Sequence, residues 1–196
     1  MYPNSRPKIA LTLLLAFSLV TTGCSPQWIQ VALADLPVLV QMALNVGTMV
    51  TTLQSGKQLN SSEAAAIQNL SNEASRDLNL LQTLYNQYKA SPSADTMQKI
   101  QDAISDINQN LPALLRAAHV SDPSLSARVT AAVNLILATV NSFATLLPPA
   151  RSAVQAASLK RAIPHPEDLK KQWNQQICGP TGKAALDSSL NICPIR

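Results

Sequence analysis

The stretch that decides the fold runs from residue 97 to residue 114, MQKIQDAISDINQNLPAL, and its apolar side chains recur every three or four residues. Because an α-helix turns once every 3.6 residues, this spacing places them on one face, as a seam for a neighbouring helix. Ser91 followed by Pro92 predicts the helix start, and Pro112 is expected to kink or restart the helix near Asn110. The members of the seam are Met97, Ile100, Ile104, Ile107, Leu111 and Leu114.

The segments on both sides have the same helical periodicity. Asn60 followed by Glu63 predicts a capping box, which begins a helix ending near Ala90. Asp122 followed by Pro123 predicts another helix start. No run in this region alternates strictly between apolar and polar residues, as a half-buried strand would. We therefore predict an all-α fold, an antiparallel helical bundle of four or more helices joined by short connections.

Residues 27–54 are apolar over most of a helix circumference, and Asp35 with Pro37 predicts where that helix starts. Such a helix is most simply the central member of a bundle. Contact with a partner or a second copy is one alternative, and insertion into a bilayer, alone or in a group lining a pore, is another. The polar residues after Pro37 include Gln41, Asn45, Thr48, Thr52 and Gln54.

The first 24 residues have the order of a secretory signal. Arg6 and Lys8 form a positive start, and residues 9–20 are an apolar region of twelve residues. That length is too short for a confident membrane span, which needs about 20 residues. Gly23 and Cys24 follow, and this order resembles the lipobox of bacterial lipoproteins, in which small residues precede an acylated cysteine.

The resemblance covers residues 1–25 and implies a processing route rather than a domain family. It implies that Cys24 receives a diacylglyceryl group and becomes the first residue after cleavage behind Gly23. Thr21 stands where leucine is commonest, and Ser25 favours the periplasmic face of the outer membrane if the cell is Gram-negative. The alternative is an ordinary signal peptide, or a signal anchor, with an incidental cysteine. We therefore expect a lipid-anchored protein of the bacterial cell envelope.

The two remaining cysteines, Cys178 and Cys193, form an even pair in a chain that we expect to be exported. Such a pair is most simply a disulfide, closing a loop of about 15 residues and stabilising the fold by ~3 kcal/mol. Gly179, Pro180 and Gly182 lie between them and favour turns, so we predict a disulfide-closed, irregular C-terminal tail. Metal ligation and a redox pair are the alternatives, without a supporting motif.

The net charge does not point to nucleic acid. The chain has 15 Lys and Arg against 11 Asp and Glu, and loss of Arg6 and Lys8 with the signal leaves 13 against 11. No basic run with interleaved aromatic residues occurs, so we expect no nucleic-acid partner. Residues 151–196 are the most basic part and are suited either to solvent or to anionic lipid or cell-wall polymer.

The sequence offers no motif for catalysis, a cofactor or a metal. The two histidines, His119 and His165, lack a standard ligand spacing, although His165 is close to Glu167 and Asp168. Asp102 and Asp106 lie one turn apart, opposite the apolar seam, as on a solvated helix face. No G-x-S-x-G or glycine-rich phosphate loop is present. We therefore expect no catalytic residues, no cofactor and no metal site.

These expectations divide the chain into four parts: residues 1–23, a signal peptide that is removed; 24–34, an anchor and tether; 35–177, the helical bundle; and 178–196, the tail. The expected function is that of a non-enzymatic, lipid-anchored envelope scaffold or adaptor. It would contact a partner, or a second copy, through residues 27–54, or a partner through the basic residues 151–196. The alternative is a membrane-active or pore-associated lipoprotein, and an envelope enzyme comes third.

Overall fold

A computed structural model of the chain describes residues 27–56, 59–147, 165–182, 184–189 and 193–196, and all regular structure within these ranges is α-helical. The predicted signal segment and Cys24 lie outside the described residues. In chain order the helices are α1 (Gln27–Ser55), α2 (Ser61–Ala90), α3 (Ala94–Ala117), α4 (Pro123–Ala144), α5 (Pro166–Gln176) and α6 (Ala184–Ser189).

Two of the predicted helix starts are confirmed with their hydrogen bonds. The Asn60 side chain accepts from the backbone N–H of Glu63 at 2.8 Å, and Glu63 accepts from the backbone N–H of Asn60 at 3.3 Å. Asp122 accepts from the backbone N–H groups of Ser124 and Leu125 at 2.8 and 3.0 Å. Both caps satisfy donors that the first turn of a helix leaves without an internal partner, so each helix begins where its sequence indicates.

The predicted start of α3 is wrong by two residues. Its N-cap is Ser93, whose hydroxyl accepts from the backbone N–H of Thr96 at 3.1 Å. Ser91 is instead the C-cap of α2, where its N–H donates to the carbonyl of Gln87 at 2.9 Å. The expected restart near Pro112 is also wrong, since α3 continues through this residue to Ala117. Ile107 and Leu111 before the proline are buried and Leu114 after it is half-buried, and this packing offsets the lost hydrogen bond.

The predicted start of α1 is wrong as well, since the helix begins at Gln27 and carries Asp35 and Pro37 inside it. The physical reason is burial: Ile29 and Ala32 are both fully buried, so the turns before Asp35 are held against the rest of the fold. The helix therefore extends into the segment that we expected to be a tether.

Helix α1 is the most widely contacted element, since it touches α2, α4, α5 and α6. Further contacts join α2 to α3, α3 to α4, and α4 to α5. This agrees with the interpretation of residues 27–54 as a core helix. The segment Ile29–Ser55 and helix Pro123–Ala144 are each long and apolar enough to cross a membrane, but half of each is buried within the fold. Core helices of soluble proteins have the same property.

A close approach of two helices lies where α1 meets α2. The Ser71 hydroxyl donates to the carbonyl of Ala43 at 2.7 Å, and a Cβ placed on Gly47 would lie 2.6 Å from that hydroxyl and 2.9 Å from the amide nitrogen of Gln68. Residue numbers rise along α1 as they fall along α2, so the two helices run in opposite directions. A side chain at position 47 would displace the side chains of Ser71 and Gln68, so glycine permits this close approach.

Candidate functional site

The predicted disulfide joins Cys178 to Cys193, with their Cα atoms 5.5 Å apart. Cys193 is buried and Cys178 half-buried. The tail is less irregular than expected, since α6 lies between the two cysteines. The bridge places the last residues of the chain against the helices that precede them.

Side chains from two helices hold the tail by its backbone. The carbonyl of Cys193 accepts from the indole N–H of Trp173 and from the side-chain amide of Asn45, each at 3.0 Å. Asn174 donates to the carbonyl of Ile195 at 3.0 Å and accepts from its N–H at 2.9 Å. Trp173 is fully buried, so its N–H has a partner where an unpaired donor would be costly.

Arg128 on α4 supplies the third attachment. Its guanidinium donates to the carbonyls of Ile177 and Gly179, the latter at 2.6 Å. Burial lowers the pKa of Arg128, and the nearby carboxylate of Asp187 opposes this shift. We use the name C-terminal clasp for Asn45, Arg128, Trp173 and the Cys178–Cys193 bridge. The clasp ties α1, α4 and α5 to one short segment of chain.

Asp187 within the tail is well satisfied. Its carboxylate accepts from the backbone N–H and the hydroxyl of Thr181, at 2.6 and 2.5 Å, and from the N–H of Gly182 at 3.1 Å. These hydrogen bonds lower the pKa of Asp187, because they favour the charged form of the carboxyl group. Gly182 has a φ of 78°, a conformation that glycine adopts without strain.

Asp35 on α1 has the opposite environment. It is 0% exposed, and neither carboxylate oxygen has a hydrogen-bond partner among the residues that the structure describes. Burial raises the pKa of Asp35 to about 7. An isolated carboxylate in an apolar interior costs several kcal/mol, so the neutral form is favoured there. Such a group is a candidate functional residue, since perturbed acids are concentrated at functional sites.

Sequence reasoning assigned Asp35 to a helix start and so missed its burial. The signal that identifies it is the spacing of its neighbours. Ile29, Ala32, Leu36 and Leu39 surround position 35 at helical intervals, and all four are buried. An acid inside such a stripe faces the core, whatever proline follows it.

The other acids have structural surroundings. Glu63 accepts from the backbone N–H of Ser121 at 2.7 Å, and hydrogen bonds from Ser121 lower the pKa of Glu63. Asp77 is nearly buried, 3.6 Å from Arg76, and its pKa is raised first by burial and then by Glu73. The Glu63 carboxylate thus connects the start of α2 to the segment between α3 and α4.

The remaining candidates from the sequence are exposed and are not brought together. Asp102 and Asp106 lie on the exposed face of α3, where Asp102 accepts from Gln98. His119 is exposed with a φ of 40°, and His165 is exposed at the N-cap of α5. Among the described residues no group of three or more His, Cys, Asp or Glu side chains is placed to hold a metal ion.

No protein-family model, no curated protein and no solved structure matches this chain.

Proposed function

We propose that the protein is a non-enzymatic scaffold or adaptor of the bacterial cell envelope, anchored to a membrane by acylated Cys24. In this proposal the long helices form an antiparallel bundle. The order of contacts supports that arrangement, because α1, α2, α3 and α4 each touch the next and α4 returns to α1. The connections between them are short, which favours antiparallel neighbours.

The observation that carries the proposal is where α1 begins. Gln27 is three residues beyond Cys24, a distance that an extended chain spans in about 10 Å. The buried side chain of Ile29 follows almost at once. An acyl group on Cys24 would therefore hold the folded helices directly against the bilayer. That position suits a scaffold that presents a defined surface close to the membrane.

The surface of α1 that remains for a partner is narrow, because most apolar side chains of this helix are in the core. We define the α1 outer row as Gln41, Leu44, Thr48 and Thr52, which share one face by their spacing. Leu44 is 45% exposed, and the hydroxyls of Thr48 and Thr52 donate to their own helix backbone. The row thus offers an apolar centre with few free donors, and we propose that it contacts the partner or a second copy.

A site-specific photocrosslinker placed at Leu44 of the full chain in living cells tests this contact. The matched control is Leu80 on α2, which is 51% exposed. The proposal predicts one discrete adduct from position 44 and none of that mass from position 80. Equal adducts from both positions, or no adduct from position 44, would remove the α1 outer row as the contact surface.

Metabolic labelling with a fatty acid tests the anchor separately. We expect Cys24→Ala to lose both the label and the membrane association. Cys178→Ala, which breaks only the disulfide, is expected to keep both. Retention of the label in Cys24→Ala would refute the anchor, and with it the lipoprotein assignment.

A membrane-active protein is the second candidate, and the observation that favours it is the apolar length of α1 and α4. Release of dye from anionic liposomes by the full chain would support it. Leu44→Asp is the informative variant, since an exposed position tolerates a charge in the fold but not in a bilayer. Release that is unchanged by Leu44→Asp would exclude insertion of α1; Leu80→Asp is the control.

A further inference from the structure

The starting point is an acid that has no hydrogen-bond partner among the residues that the structure describes. Asp35 lies in the third turn of α1, fully buried, and neither of its oxygens accepts a hydrogen bond within the described residues. Leu36 and Leu39, on the same buried side of the helix, are also fully buried. The charged form of Asp35 can regain hydration only if this part of the helix moves into water.

The helix that packs most closely on α1 offers no buried compensating charge, since its basic residues Arg76 and Lys89 are exposed and Arg76 pairs with Glu73 and Asp77. The contact of Ala43 with Ser71 places Asp35 near the level of residue 79 on the oppositely directed α2. The buried ionisable side chains of α2 on either side of that level are Asp77 and Tyr85, an acid and a phenol. Neither carries a positive charge, so neither stabilises ionised Asp35.

The other helices that touch α1 have their charges elsewhere. Arg128 is the ionisable residue of α4, and its guanidinium donates to the carbonyls of Ile177 and Gly179. Asp187 lies in α6, and its carboxylate accepts from the backbone N–H of Thr181. Lys170 pairs with Glu167 at 3.5 Å. The ionisable residues of α5 are Glu167, Asp168, Lys170 and Lys171. No charge among these groups contributes to the raised pKa of Asp35, for which burial is the cause.

Pro37 supplies a hinge two residues after Asp35. It lies inside α1 and is exposed. Proline has no N–H, so the carbonyl of Leu33 lacks the donor that a continuous helix would give it. Sharp bends in helices occur at such positions. Residues 27–36 are therefore joined to the rest of α1 by a weakened turn.

We propose that Asp35 and Pro37 form a pH-sensitive switch, in which ionisation of Asp35 releases residues 27–36 from the core by bending α1 at Pro37. In the closed state Asp35 is neutral and the first turns are packed. In the open state its carboxylate is hydrated and the apolar side chains of this segment, including Ile29 and Leu33, are uncovered. The switch depends on the fold alone and not on the proposed anchor. An anchor at Cys24 would place the uncovered segment beside lipid.

Hydrogen–deuterium exchange on the full chain, purified in detergent, tests the switch. The quantity is the opening constant of amides 29–36, corrected for the intrinsic pH dependence of exchange, with amides 42–50 as the internal reference. We expect this opening constant to rise about tenfold per pH unit between pH 5 and pH 7, because opening releases one proton from Asp35. Above pH 7 the opening constant should level off. Amides 42–50 should have a much smaller opening constant than amides 29–36 at every pH, because their exchange requires unfolding of the core.

Four variants make the result decisive. Asp35→Asn and Asp35→Leu should each remove the pH dependence at amides 29–36, and either one that folds suffices. Pro37→Ala, which restores the missing donor, should lower opening at every pH and keep the slope. Asp77→Asn is the control and should leave amides 29–36 unchanged. An identical slope in the wild type and an Asp35 variant would overturn the proposal. So would opening constants for amides 29–36 that equal those of amides 42–50 at every pH.

Discussion

The first turns of α1 and the disulfide-closed tail each contain an aspartate, and the two carboxylates have opposite surroundings. Asp187 accepts three hydrogen bonds from Thr181 and Gly182, and its pKa lies below the ordinary value. Asp35 accepts none from the described residues, and its pKa is raised to about 7. In the tail, the hydrogen bonds of an ionised carboxylate hold the segment in place. In the first turns of α1, the packing of the segment depends on whether Asp35 is protonated.

The clasp adds further hydrogen-bonded polar groups to the tail. Asn45 and Trp173 both donate to the carbonyl of Cys193, and Arg128 donates to two further carbonyls. A polar network in which each donor has a partner is rigid and specifies one arrangement. We therefore expect the tail to stay closed under conditions that open the first turns of α1.

The largest expected effect is the pH dependence that Asp35 gives to stability. Its pKa is about 7 in the fold against 3.8 for an unperturbed aspartate, so the folded state binds the proton more tightly. The free energy of unfolding should be highest below pH 4, fall by up to about 4 kcal/mol as the pH rises to 7, and then level off. Urea unfolding followed by circular dichroism at pH 4 to 8 measures this. A curve for Asp35→Leu with the same fall would contradict it; Asp102→Asn is the exposed control.

The disulfide comes next in size. Replacing both Cys178 and Cys193 by serine should lower the free energy of unfolding by about 3 kcal/mol, since the bridge closes a loop with a sequence separation of 15 residues. Reduction of the wild type should reproduce the loss, while Cys24→Ala should not. No change in the urea midpoint would mean that the helices hold the tail without the bridge.

Arg128→Met should cost about 2 kcal/mol, because it leaves the carbonyls of Ile177 and Gly179 without their charged donor. The methionine retains much of the aliphatic length, so packing is largely kept. Thermal unfolding at one fixed pH is the measurement. Arg116→Met, on the exposed last turn of α3, is the control, and an equal effect at the two positions would contradict the role given to Arg128.

Asn45→Ala should have the smallest effect, about 1 kcal/mol, because Trp173 continues to donate to the carbonyl of Cys193. Coupling between the two donors can be measured with Trp173→Phe in a double-mutant cycle. A coupling near zero would show that Asn45 and Trp173 do not act on one shared carbonyl.

Much of the helical framework could be predicted because its signals are local. The capping box at Asn60 and Glu63 and the cap at Asp122 each lie within three residues of sequence. The seam of α3 follows from spacing, and the disulfide follows from the number of cysteines left after Cys24. Each of these features depends on residues that are close together in the sequence, or on the number of cysteines.

The clasp and the environment of Asp35 could not be predicted in the same way. The bonds from Asn45, Arg128 and Trp173 join residues 148, 49 and 20 positions apart, and no periodicity records such distances. Asp35 followed by Pro37 resembles a helix start, and only burial of the preceding turns overrules that local signal. Where a local helix-start signal and tertiary packing favour different structures, packing decides the outcome. The spacing of residues in the sequence does not reveal that packing.

The contrast between the two aspartates is tested most directly by the titration of Asp35 itself. Carbon-13 NMR of the side-chain carboxyl groups in the full chain, with Asp35→Asn for assignment, gives the pKa of Asp35 and of Asp187 in one experiment. We expect a pKa of about 7 for Asp35 and a pKa below the ordinary aspartate value for Asp187. A pKa near that ordinary value for Asp35 would show that it has a partner or is hydrated, and would contradict the contrast between the two regions.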